Sequence, residues 1–149
     1  MNQLSCKVCV GLWPNPDYFI ADCGLTQAYL HDDQFFPGWT VLVLKHHATE
    51  IFHLSRDERS RLIEEVAEVA AVLAEEWRAV KINYELLGNQ VPHIHWHLIP
   101  RLPQDPAPLD PVWRIAHEPV RLQPDALASE VDRLRHVWPA HLNQTQQRP

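Results

Sequence analysis

Histidine recurs at alternate positions in the segment His93-Ile94-His95-Trp96-His97-Leu98. In an extended strand successive side chains point to opposite faces, so these three imidazoles would project together, about 7 Å from one to the next. Ile94, Trp96 and Leu98 would then point the other way, into apolar packing. Three kinds of chemistry fit such a row. A solvated, inert face is one, although Trp96 and Leu98 mark the strand as central rather than an edge. A metal site is another, because alternate histidines on a strand can share a zinc or iron ion. Catalysis at phosphorus is the third: a neutral imidazole is a good nucleophile at pH 7, and a neighbouring histidine can stabilise phosphate oxygens.

A second cluster is carried by Cys6-Lys7-Val8-Cys9, whose Cys-x-x-Cys spacing is that of half a zinc site. Two reduced thiols near a loose end would look the same. Cys23 has no sequence partner and is expected in a turn or core. Lys45 and Arg101 are candidate phosphate-steering cations, Arg101 the better placed because it follows the histidine strand. His53, His117, His136 and His141 are scattered and expected at the surface or at caps. The six tryptophans are expected in the core or in subunit contacts, with Trp39, Trp96 and Trp113 singled out by their neighbours.

The elements that must position these residues can be read from periodicity. Residues 1–16 read as loop. Tyr18 to Ala21 and Gln27 to Leu30 read as strands joined through Asp22-Cys23-Gly24, and Trp39 to Leu44 as a buried strand after a Pro37-Gly38 turn. Ser55-Arg56-Asp57-Glu58 is a capping box. The spacing of Leu62, Val66, Val69, Leu73 and Trp77 predicts a helix from there to about Val80, with a glutamate-rich solvated face. Lys81 to Leu87 alternates as a strand, Gly88-Asn89 turns, and His93 to Pro100 is the last strand. Residues 102–111 hold four prolines and read as a connector. Pro124 suits the first turn of a second helix to about Val137, with Leu127, Val131 and Leu134 inward. The expected fold is α+β: an antiparallel sheet of about five strands with one long helix, plus a C-terminal extension carrying the second helix. Residues 1–104 are expected to form the domain and 105–149 an extension packed on it, with a disordered tail from Asn143.

Bulk properties exclude several classes. The chain has 149 residues and a formal charge of -6 without a Lys/Arg cluster, which argues against a nucleic-acid polymer as partner. No run reaches the roughly 18 apolar residues of a membrane span, and residues 1–9 lack the pattern of a secretion signal. Three cysteines cannot complete a disulfide framework. A cytoplasmic location is expected.

The segment from His93 to Ile99 resembles the signature of the histidine triad (HIT) superfamily, and Val41 to His47 is similar to that family's strand ending in Lys-x-His. Pro100-Arg101 resembles the Pro-Arg that follows the triad in a dinucleoside polyphosphate hydrolase branch, and bacterial hydrolases with a tryptophan inside the triad look closest. The resemblance covers roughly residues 17–101. It implies that His95 attacks the α-phosphorus to form a nucleotidyl-histidine, which water or another acceptor then resolves. It implies that His97 hydrogen-bonds phosphate oxygens, that His93 shapes the site and holds the His95 tautomer, and that Asn83 and Gln90 donate to phosphate. Asn89 would stand where the family has glutamine. Gln90 would stand where it has Ser/Thr, so the hydroxyl that assists the leaving group is missing. The ribose contact falls near His31-Asp32. Arg101 would contact substrate. The resemblance further implies a homodimer, no cofactor for catalysis, and a structural zinc on Cys6, Cys9, His47 and His93. Substrates would be dinucleoside polyphosphates or adenosine phosphoramidates. The alternatives are a metalloprotein using the three histidines as ligands and a non-enzymatic nucleotide-binding module.

Overall fold

A computed structural model describes residues 5–142; the expected tail from Asn143 lies outside them. Five strands form one antiparallel sheet: β1 (Phe19–Asp22), β2 (Thr26–Leu30), β3 (Thr40–Leu44), β4 (Lys81–Glu85) and β5 (His95–Arg101), in the order β1-β2-β3-β5-β4. The helices are α1 (Arg56–Glu76) and α2 (Pro124–Val137). The expected α+β architecture is therefore the observed one.

Register decides which residues share a face. Val43 pairs with His95 and Val41 with His97, while Leu42 pairs with Trp96 and Thr40 with Leu98. Residues directly opposite across an antiparallel pair share a face, so the histidines lie with Val41 and Val43, and Leu98 lies with Leu42. The latter face is the core. Leu42, Leu98, Ile82 and Ala28 pack with Val66, Val69 and Leu73 of α1 and with Leu127, Val131 and Leu134 of α2.

Helix α1 starts as its sequence specifies: the Ser55 hydroxyl accepts from the Glu58 N–H, and the Glu58 carboxylate accepts from the Ser55 N–H. It stops at Glu76, short of the expected Val80, and Arg78 turns the chain with a φ of 49°. The Ala79 N–H closes the end by bonding to Ala74 O. The Trp77 ring at the C-cap packs so closely on Gly38 that a Cβ there would meet it at 2.6 Å. Gly38 also has φ of 82°, which a side chain rarely adopts.

One glutamate departs from the expected solvated face. Glu65 is buried and accepts hydrogen bonds from the N–H groups of Leu25 and Thr26 and from the Thr26 hydroxyl, fixing the β1–β2 turn to α1. Cys23 lies buried beside it. Burial and the nearby Glu65 carboxylate push its thiol up to about 12, so it is an inert core residue. Among the described residues no helix is long and apolar enough to cross a membrane.

Candidate active site

The histidine strand begins later than its sequence pattern suggests. β5 opens at His95, and His93 sits on a bend before it. Leu44 ends β3, and at that point the ladder is continued by irregular bonds: Leu44 N–H to Ile94 O and Ile94 N–H to Ala48 O. The row of three is thereby divided. His95 and His97 stay on the sheet face with ring centroids 5.1 Å apart. The His93 ring turns away and meets His47 at 5.4 Å.

Fixed neighbours set the tautomer of each ring. His95 Nδ1–H donates to the His93 carbonyl at 2.7 Å, which leaves the Nε2 lone pair of His95 free. Trp39 Nε1–H donates to His97 Nδ1 at 3.0 Å, so the proton of neutral His97 is on Nε2. The two rings thus carry opposite tautomers, one presenting a lone pair and the other an N–H. Both are neutral at pH 7. Burial depresses His95, with the His31 charge adding to it. His97 is pushed down to about 3 by burial and by like charge on His95 and His31.

These rings floor a cleft of about 240 Å³, rimmed by Trp13, His31, Trp113 and the loop from Leu87 to Val91. Asn89 and Gln90 lie on that loop and face the cleft, where phosphate donors were expected. His31 is held by stacking on Trp39, with centroids 4.0 Å apart. An adjoining cavity of about 120 Å³ shares Trp13 and His31 and is lined further by Tyr18, Tyr29 and Asp32. The ribose-contact position inferred from His31-Asp32 therefore borders both spaces.

Arg101 and Asn83 are placed differently from expectation. Arg101 is buried, and its guanidinium donates to Asp105, Asn83 Oδ1 and the carbonyls of Asp110 and Ala107. It clamps the connector after β5 instead of facing the cleft, and Asn83 serves it as an acceptor. Lys45 is likewise engaged, in an ion pair with Asp22 at 2.7 Å. His117, expected to be an ordinary surface residue, pairs with Asp33 at 2.8 Å and stacks on Phe35.

The His93 ring belongs to the second cluster. Its Nε2–H donates to Leu44 O at 2.6 Å, so its Nδ1 offers a lone pair toward Cys6 Sγ at 3.5 Å and Cys9 Sγ at 3.7 Å. Cys9 Sγ lies 3.3 Å from His47 Nδ1. All four ligand atoms fall within 4.8 Å of one another. Tetrahedral zinc with bonds of about 2.0–2.3 Å has ligand–ligand edges of about 3.6 Å, so the donor set fits that ion. A backbone carbonyl fixing the far nitrogen of a histidine ligand is the usual outer-shell arrangement. His93 thus lies with the two cysteines and His47, while His95 and His97 line the cleft.

The HIT domain family profile matches residues 14–104. The chain belongs to the HIT family. A histidine triad protein from Bradyrhizobium japonicum is similar at 30% identity and TM-score 0.72, over 80% of this chain and 90% of that one. One from Marinobacter aquaeolei VT8 is similar at 30% identity and TM-score 0.73, over 80% and 86%. The diadenosine triphosphate hydrolase of Plasmodium falciparum shares the fold at TM-score 0.62 and 12% identity, over 83% of this chain and 77% of that one. No curated protein matches the chain significantly.

Within this HIT chain the sequence left three site features unread. Trp39 was singled out only by its neighbours, and its role as hydrogen-bond donor to His97 needs the β3–β5 register. Trp113 was singled out in the same way, and it reaches the cleft because the connector folds back. Trp13 gave no signal beyond standing shortly after Cys9.

Proposed function

We propose that this HIT protein is a nucleotide hydrolase or nucleotidyl transferase that works through a covalent nucleotidyl-histidine. The observation that carries the proposal is the pair of opposite tautomers on His95 and His97. The His95 Nε2 lone pair attacks the α-phosphorus of a phosphoanhydride or phosphoramidate. A P–N bond forms, and the bond to the leaving group breaks with its electron pair, the leaving group taking a proton from solvent. His95 then carries positive charge, and its Nδ1–H bond to the His93 carbonyl becomes charge-assisted and stronger. The His97 Nε2–H and the Gln90 and Asn89 amides supply donors for phosphate oxygens as charge builds on them. Water attacks next, the P–N bond breaks, the lone pair returns to Nε2 and a proton leaves to solvent. A preorganised donor of this kind is worth about 2.7–4 kcal/mol of barrier.

The substrates that suit this site are dinucleoside polyphosphates or adenosine phosphoramidates, as in the dinucleoside polyphosphate hydrolase branch. Cys6, Cys9, His47 and His93 would hold a zinc ion, which would act as a structural cross-link between the N-terminal loop and the catalytic strand. The test is turnover of diadenosine polyphosphate and of adenosine phosphoramidate by the wild type and by His95→Ala. The wild type is expected to release AMP and to show a nucleotidyl adduct on His95 after rapid denaturation. Turnover by His95→Ala within a few-fold of wild type would overturn the proposal.

A further inference from the structure

Two tryptophans stand on successive histidines. Trp13 packs edge-on against His95 with centroids 5.0 Å apart, and Trp113 packs edge-on against His97 at 5.2 Å. Both lie outside the segment, 14–104, that the family profile matches. They reach the cleft from opposite ends of the chain, one before the first strand and one after the last.

Each is held in place by its surroundings. The Trp13 N–H bonds to Lys7 O and the Val10 N–H to Cys6 O, in a tight coil whose two cysteines reach His47 and His93. Trp113 is anchored on both sides. Before it, Arg101 grips the carbonyls of Ala107 and Asp110. After it, Asp33 accepts from the Val120 N–H and pairs with His117. The Trp113 Nε1–H donates to the Glu85 carboxylate, which fixes the ring plane. Even so, Trp113 remains 50% exposed at the cleft. An indole fixed in orientation and half exposed offers surface on which a flat π-system can stack.

The two walls are not equivalent. Trp13 also borders the adjoining cavity with Tyr29, His31 and Asp32, where a base and a ribose find apolar and polar partners. Trp113 borders the cleft but not that cavity, and it packs on His97 where Trp13 packs on His95. We infer that Trp13 covers the nucleoside retained on His95, and that Trp113 receives a flat aromatic group on the departing side. Trp113 is then a specificity-determining residue, and the preferred substrates carry aromatic groups at both ends of the phosphate chain, as dinucleoside polyphosphates do. This inference rests on the nucleotidyl-histidine reading above.

The test compares two substrates with the same retained adenylyl group: diadenosine triphosphate and adenosine 5′-phosphoramidate, whose leaving group is ammonia. Each is assayed with wild type, Trp113→Ala and Trp113→Phe. Trp113→Ala is expected to lower kcat/KM for diadenosine triphosphate by roughly ten- to a hundredfold, the range of one base–aromatic stack, and to change the phosphoramidate by less than about twofold. Trp113→Phe is expected to restore most of the loss. An equal loss on both substrates would make Trp113 a merely structural wall and overturn the inference, as would no loss on either. If the wild type turns over neither substrate, the hydrolase reading falls and takes the inference with it.

Discussion

At the scale of single residues, the site is a problem of proton placement. Two adjacent neutral imidazoles are useful at phosphorus only if one offers a lone pair and the other an N–H. The His93 carbonyl and the Trp39 indole enforce that difference from opposite sides. Trp39→Phe keeps the aromatic packing and removes the indole donor, so His97 is free to hold its proton on the wrong nitrogen. The expected result is a fall in kcat of roughly tenfold with KM little changed, since losing one buried hydrogen bond is worth about 1–1.5 kcal/mol. Steady-state kinetics on the best substrate would check it, and an unchanged kcat would show that Trp39 does not set the tautomer. The alternation of histidine with apolar residues was legible in the sequence because a strand has a period of two. The departure of His93 was not, because it depends on where β3 ends and on which partners lie beyond it. Arg101 was misread for a related reason: its acceptors come from a proline-rich connector whose path no local pattern describes.

At the scale of elements, the sheet and α1 were legible from capping and apolar spacing, and the loops were not. Glu65 shows the limit. It looks like its glutamate neighbours in sequence, yet it alone meets unpaired N–H groups of another turn. The backbone bonds of the N-terminal coil from Val10 to Trp13 return to the coil itself, so its ties to the sheet include the contacts of Cys6 and Cys9 with His93 and His47. With the proposed zinc site, Cys9→Ser is expected to lower bound zinc far below the wild-type content and to speed tryptic cutting after Lys7. Elemental analysis and timed proteolysis would read the two effects. Full zinc retention in the variant would contradict the assignment of Cys9 as a ligand.

At the scale of the whole molecule, the extension after β5 is stitched to the β2–β3 loop through Asp33 and His117. Burial of His117 works against its charge, but the Asp33 bond and the Ile115 carbonyl outweigh it, and its pKa is raised. For Asp33, partial burial is outweighed by hydrogen bonds from the Phe35 N–H, His117 and the Val120 N–H, and its pKa is lowered. The raised His117 contributes stability that is complete below about pH 6.5 and is lost as pH rises through its folded value. The lowered Asp33 contributes stability that is present above about pH 4 and is lost as pH falls through its folded value. Asp33→Asn should accordingly lower Tm most between about pH 4 and 6.5 and least near pH 9. Thermal melts of both proteins across that range would test it, and a Tm difference independent of pH would count against an ionic pair.

His93 carries two obligations through different atoms. Its ring faces the two cysteines, while its main-chain oxygen accepts from His95 Nδ1–H. A shift of the bend at residue 93 would therefore move the sulfur-facing ring and the oxygen that fixes the His95 proton together.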